Sequence, residues 1–217
     1  MELYYAPLSC SLAARAIAVE VGVPVELRQI ELYAKTLTHE GTSYFDIAPQ
    51  GRVPVLRLDD GSLLTEISAV LQYLADRAPE TRLAPPWGTI ERYRVIEWLS
   101  FVGTELHKKI LWVHYSRQMP QAACERALSF APGVFDHLER HLQGREVLVG
   151  DVFTVADAYL VWALRLAKIA GLAPSQDRPA LAAYRKRHEA RPSMRDAFAA
   201  ETPEAVAAIA RQPAERE

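Results

Sequence analysis

The sequence of 217 residues predicts an α/β domain built on a mixed four-stranded sheet, followed by an all-α helical domain. Three observations carry that expectation. The first 32 residues read as strand, helix, strand. Residues 47–75 hold a proline-bearing strand, a tight hairpin and an amphipathic helix. Residues 78–88, APETRLAPPWG, then break the pattern with three prolines and a glycine, and only helical periodicity follows.

Glu2-Leu3-Tyr4-Tyr5 is a short strand rich in aromatic β-formers, and Ala6 to Cys10 is a loop. Ser11 to Val21 is a helix with Leu12, Ala16, Ile17 and Val21 on its apolar face and Gly22 as its stop. Pro24 to Leu32 is a second strand, which closes a right-handed βαβ unit. Ala34 to Phe45 is polar and weakly patterned, irregular or a short helix. Val53 to Leu58 is a strand with Pro54 inside it, and a proline lacks the donor that a central strand needs. A cis Val53-Pro54 bond resolves that conflict. Asp59-Asp60-Gly61 is a hairpin turn, Ser62 to Leu64 returns, and Thr65-Glu66-Ile67-Ser68 opens a helix with Ile67, Val70, Leu71 and Leu74 on one side. The order βαβ-α-ββα is that of a thioredoxin-like domain, residues 1–78.

The helical domain, residues 88–217, begins with one long helix from Thr89 to about Arg117. A second runs from Pro120 to Gln143, bent at the internal Pro132. Gly144 to Gly150 is a loop. Thr154 and Asp157 form a capping box, which is a structural device rather than a catalytic one. Leu181–Glu189 and Ser193–Ala200 are short helices, and the Ala-rich tail is expected to be mobile at its end.

Composition narrows the function. Net charge is −2 and half the residues are hydrophobic, which gives no basis for a nucleic-acid or anionic-membrane partner. No apolar run reaches the ~20 residues of a membrane helix, and the first residues lack the basic and apolar blocks of a signal peptide. Two cysteines, Cys10 and Cys124, make no disulfide framework, so the expected compartment is the cytoplasm. The histidines and carboxylates show no metal-ligand spacing, and the glycines form no phosphate loop.

A proline-headed strand beside a helix N-terminus suits an extended, peptide-like ligand. The Val53 backbone can pair with it as an added strand does. The N–H groups at Glu66-Ile67-Ser68 can hold a carboxylate. Cys10 sits just ahead of a helix N-terminus, which favours thiolate, but a buried free cysteine is as good a reading of the residue alone. Ala13 occupies the second position of a CxxC pair, so no intramolecular redox disulfide forms there. Cys124 and the histidines other than His107 read as structural or solvated.

Ala48-Pro49-Gln50-Gly51-Arg52-Val53-Pro54, with Thr65-Glu66 and Ala69 to Leu74, resembles the ligand-binding half of the glutathione transferases. Tyr4 to Leu12, Thr104-Glu105-Leu106-His107-Lys108 and His141 to Asp151 resemble the bacterial beta class in particular. The resemblance spans about 200 residues. It implies a homodimeric enzyme that conjugates glutathione, as co-substrate, to small apolar electrophiles in detoxification. It implies that Val53, beside Pro54, pairs with the cysteinyl part of glutathione. Glu66 and Ile67 would hold the γ-glutamyl end and Lys35 the glycine carboxylate. His107 and Cys10 would serve the sulfur, Lys108 would lower its pKa, and Glu105 would reach the ligand of the partner subunit. Tyr5 is a minor candidate. Trp112 and Tyr115 would line the electrophile pocket. One departure is Ile67, where the family carries Ser, Thr or Gly, so a side-chain hydroxyl is lost; Ser68 is expected to point elsewhere. Two rival functions remain at this point: a glutathione-dependent thiol–disulfide reductase or peroxidase using Cys10, and a non-catalytic binding module of the same fold.

Overall fold

The computed structural model describes residues 1–38 and 40–201. The sequence expectations for His39 and for the tail from Thr202 lie outside them. The sheet runs in the order β3-β2-β1-β4-β5. Strand β1 (Glu2–Tyr5) pairs in parallel with β2 (Glu26–Glu31), and helix α1 (Ser11–Glu20) makes the crossover. On its other side β1 pairs antiparallel with β4 (Val55–Arg57), Leu3 opposite Leu56. Strand β5 (Leu63–Thr65) returns antiparallel to β4. Gly61, at φ 84°, supplies the left-handed residue that this hairpin turn requires. The Val53–Pro54 bond is cis.

The sheet has five strands rather than four. The added strand, β3 (Thr36–Leu37), pairs antiparallel with the end of β2. Two residues cannot show the alternation that marks a strand in sequence, so residues 34–45 read as irregular. They also contain a single 3₁₀ turn at Tyr44–Asp46.

Alternation along β1 divides the core. Leu3 faces a large apolar cluster that takes in α1, α2 (Ile67–Asp76) and the helical domain. Tyr4 faces a smaller one with Ile30, Tyr44 and Val55. Because the large cluster runs through both domains, the groove between them has rigid walls. Arg92 strengthens this joint. It is fully buried, its guanidinium bonds both Asp76 oxygens at 2.7 and 2.9 Å, and it also reaches Gln72 and the Pro85 carbonyl. Trp87 from the connecting segment lies 3.8 Å from it.

The long helix expected from Thr89 to Arg117 is continuous but not uniform. It is α-helical as α3 (Ile90–Phe101), takes π-helical register over Val102–Trp112, and ends as a short turn, α4 (Val113–Tyr115). Thr89 caps it by accepting from the Arg92 N–H. The second helix is two helices, α5 (Gln121–Leu128) and α6 (Ala131–Leu142). The chain breaks at Ser129–Phe130 rather than bending at Pro132, because Pro132 sits in the first turn of α6, where a missing N–H costs nothing. Helix α7 (Val155–Ile169) runs through the middle of the helical domain, followed by α8 (Pro179–Glu189) and α9 (Pro192–Ala199). Asp157 in the first turn of α7 is fully buried and accepts from the Thr154 and Leu148 N–H groups and from the Tyr184 hydroxyl, a structural role. Among the described residues no helix is long and apolar enough to cross a membrane.

Candidate active site

Two adjoining cavities lie between the domains, and Cys10, Val53, His107 and Lys108 line both. The first is a groove of about 450 Å³. It gathers Pro54, Glu66, Ile67 and Ser68 with Gln50 and Tyr159. The second is a pocket of about 360 Å³, with Leu8, Leu111, Trp112, Tyr115 and Leu166 in its walls, and it is reached by Lys35.

The π-helical stretch explains how one helix serves both. The lining residues from it fall at 103, 107 and 111 and at 104, 108 and 112, and the two rows continue beyond it to 115 and 116. In an α-helix, a step of four residues over-rotates by roughly 40°, so such rows drift off one face. The wider i→i+5 register reduces that drift and keeps His107 in line with Leu111 and Lys108 in line with Trp112.

The loop carrying Cys10 is held from the helical domain. Leu8 takes a left-handed φ of 57°, a strained state for a branched side chain. The Trp162 indole N–H donates to its carbonyl at 3.0 Å, and its N–H donates to the Glu201 carboxylate, which Arg15 also pairs. Ser9 and Ser11 hydroxyls close the loop onto the Ala6 carbonyl. On the opposite wall, Gly51 stands at φ 59°, and a Cβ there would lie 2.7 Å from the Phe45 ring. Its carbonyl accepts from the Lys35 ammonium at 2.7 Å.

Cys10 corrects the sequence expectation. It is 4% exposed, and its S–H donates to the Val53 carbonyl at 3.6 Å. Burial pushes the thiol up to about 12, against the opposing charge of Lys108 and the helix-terminal N–H groups. The helix terminus was expected to favour thiolate; desolvation wins because the side chain faces the core rather than open water. Cys10 is therefore a neutral thiol in this structure.

His107 is also neutral. Burial, then the charges of Lys108 and Arg52, lower it to about 3. Its Nδ1 meets the Tyr159 hydroxyl at 2.5 Å. Burial holds Tyr159 well above the usual phenol range, so it keeps its proton. With no other acceptor for it among the described residues, Tyr159 donates to Nδ1, and the ring proton resides on Nε2. Tyr159 was missed in the sequence; it lies 52 positions from its partner, on a helix that reads simply as apolar core. Tyr159→Phe is expected to free Nδ1, mix the tautomers and lower turnover about tenfold with little change in KM. The same loss from Tyr159→Ala but none from Tyr159→Phe would assign it to packing alone.

Helix α2 presents its first N–H groups to the groove without a side-chain cap, and its N-cap Glu66 has φ 65°. The Ile67 side chain turns into the core, 6% exposed. Ser68 is among the residues that line the groove. Glu105 lies outside both cavities and pairs with Lys109 at 2.7 Å. Tyr5 also lies outside, donating to Gln29. Cys124 is buried, its S–H directed at the Val113 carbonyl. Among the described residues no group of three or more His, Cys, Asp or Glu side chains is placed to hold a metal.

The site is thus a cleft between a thioredoxin-like sheet and a helical domain, lined by a thiol, a neutral imidazole and a lysine. Residues 9–77 match the family of the glutathione S-transferase N-terminal domain, and residues 101–192 that of the C-terminal domain. Glutathione S-transferase GstA of Escherichia coli O157:H7 is 38% identical over 208 residues, 93% of this chain and 98% of that one. A bacterial beta-class glutathione S-transferase from Sphingomonas chungbukensis superposes with a TM-score of 0.87 at 35% identity, covering 93% and 98% of the two chains. A sphingomonad glutathione S-transferase complexed with glutathione gives 0.86 at 34% identity, covering 93% and 98%. The chain belongs to the glutathione S-transferase family, and its fold is that of the bacterial beta class.

Proposed function

We propose that this enzyme binds glutathione along the groove, with its glycine end reaching Lys35, and joins its sulfur to an electrophilic carbon held in the adjoining pocket. The observation that carries this reading is the position of Lys108 and His107, which line both cavities. Glutathione fits the donor set. The bare N–H groups of α2 suit its γ-glutamyl carboxylate, Glu66 its ammonium and Lys35 its glycine carboxylate. Val53, next to Pro54, lies where the cysteinyl backbone would run. The thiol loses its proton to solvent, and Lys108 stabilises the thiolate by charge. The neutral His107, protonated on Nε2, offers a donor to the sulfur. The thiolate then forms the carbon–sulfur bond while the leaving group departs with its electron pair.

The reductase reading requires Cys10 as thiolate, and its burial and raised pKa favour conjugation instead. We take the domains as residues 1–78 and 88–217, the enzyme as a cytoplasmic homodimer, and Glu105 as facing the partner's side of the site. Turnover of 1-chloro-2,4-dinitrobenzene tests the reading. A thioether product formed faster than the uncatalysed reaction is expected; its absence, together with no heat on glutathione addition, contradicts it.

Ile67→Ser is expected to lower the glutathione dissociation constant. A new bond to a charged group is worth about 1.5–3 kcal/mol, roughly 10- to 150-fold, and the lower end applies because Ser68 already lines the groove. An unchanged constant in the folded variant assigns that bond to Ser68.

A further inference from the structure

The two cavities differ in charge. The lining of the 360 Å³ pocket carries Lys35, Arg52, Lys108 and Arg117 and not one carboxylate. The whole chain is at −2, so this concentration of positive charge is local. Glutathione accounts for part of it in the function proposed above, with Lys35 on a carboxylate and Lys108 on the sulfur. Arg52 lies at the seam between the cavities. Arg117, like Lys35, lines the pocket and not the groove, and unlike Lys35 it has no part of glutathione assigned to it. Its guanidinium sits over the Tyr33 ring at 3.9 Å, and among the described residues no carboxylate pairs with it. Tyr33 thus packs against the planar cation in the lining of a pocket that also contains Trp112, Tyr115, Leu111 and Leu166.

We propose that the electrophile this enzyme takes is a flat, apolar molecule bearing an oxyanion, a carboxylate or sulfonate, and that Arg117 is the specificity-determining residue that receives it. The proposal rests on the transferase reading and adds the substrate's charge. A guanidinium matches two oxygens of one group in a way that a lysine does not, and the aromatic walls suit the body of such a substrate. The local positive field also draws the anion toward the pocket, an effect that salt weakens.

The test compares two electrophiles of one chemistry, 1-chloro-2,4-dinitrobenzene and 4-chloro-3,5-dinitrobenzoate. In both, the glutathione thiolate forms a carbon–sulfur bond, chloride leaves with the bonding pair, and the thiol proton goes to solvent. Each kcat/KM is divided by the uncatalysed rate constant of the same compound, which removes intrinsic reactivity. The expected result is a corrected preference for the benzoate of about fivefold, the size of one exposed charged contact, shrinking as sodium chloride is added. R117A should abolish the preference, R117E invert it and R117K keep part of it. A preference near one, or one that R117A leaves intact, overturns the proposal while turnover of the neutral compound still upholds the transferase. A rise in the KM for glutathione as the main effect of R117A also overturns it, by assigning Arg117 to glutathione. If neither compound is turned over, the transferase reading falls and this one with it.

Discussion

Lys108→Met should cut kcat/KM at pH 6.5 by about 10- to 1000-fold. A cation within about 4–6 Å lowers an acid's pKa by about 1–3 units, and each unit is tenfold in thiolate at a pH below the pKa. Lys108 lines both cavities, as Arg52 does, and its charge is the largest influence opposing burial at Cys10. Without it the bound thiol titrates higher, so the alkaline-rising limb of the pH–rate profile moves up and activity recovers as pH rises toward 9 and above. Lys108→Arg should keep most of the rate. His107 should contribute no limb near 6.5 in the wild type, because burial and the charges of Lys108 and Arg52 lower it to about 3. Its effect on stability has the opposite direction to that of a paired histidine. The folded pKa is below the unfolded one, so the unfolded chain binds the extra proton and stability falls as pH drops from about 6.5 toward 3. A Lys108→Met variant that raises KM while leaving kcat and the profile unchanged would make the lysine a binding residue only.

Arg92→Met should lower unfolding stability by about 2–4 kcal/mol, less than the full cost of orphaning a buried ion because Asp76 is 36% exposed and keeps access to water. For a chain of this size that is a fall of about 5–12 °C in Tm. The guanidinium ties α2 through Gln72 and Asp76, the connecting segment through Pro85 and Trp87, and α3 on which it stands. Its loss therefore loosens the joint that holds the two walls of the cleft. The double variant with Asp76→Asn should lose less than the two single losses combined, since the carboxylate left behind is then neutral. Additive losses, or a change below about 1 kcal/mol, would place the joint's strength in the apolar core instead.

What could be read from the sequence was what local chemistry decides. The βαβ unit, the hairpin at Asp59-Asp60-Gly61, the capping box at Thr154 and the ends of α1 and α8 follow from patterns a few residues long. That Gln50, Arg52, Val53, Pro54, Thr65 and Glu66 would share one groove was legible because they lie in two short segments of the chain. Features set by distant contacts were not. The π-helical register over Val102–Trp112 leaves no mark in an apolar pattern that fits a helix of either kind. The clamp on Leu8 comes from Trp162 and Glu201, and the partner of His107 from α7. Cys10 shows the same division at one atom. Its place before α1 was right, while its proton affinity is decided by how deeply tertiary packing buries it.

The most direct test of the account is a calorimetric titration with glutathione sulfonate beside glutathione. The sulfonate carries a fixed negative charge where the thiolate would form. One site per chain is expected, with the sulfonate bound more tightly than glutathione at pH 6.5 and that advantage lost in Lys108→Met. Equal affinities for the two ligands, or an advantage that survives in Lys108→Met, would contradict the claim that the Lys108 side of the cleft is built for the thiolate. No heat from either ligand at millimolar concentration would contradict glutathione binding itself.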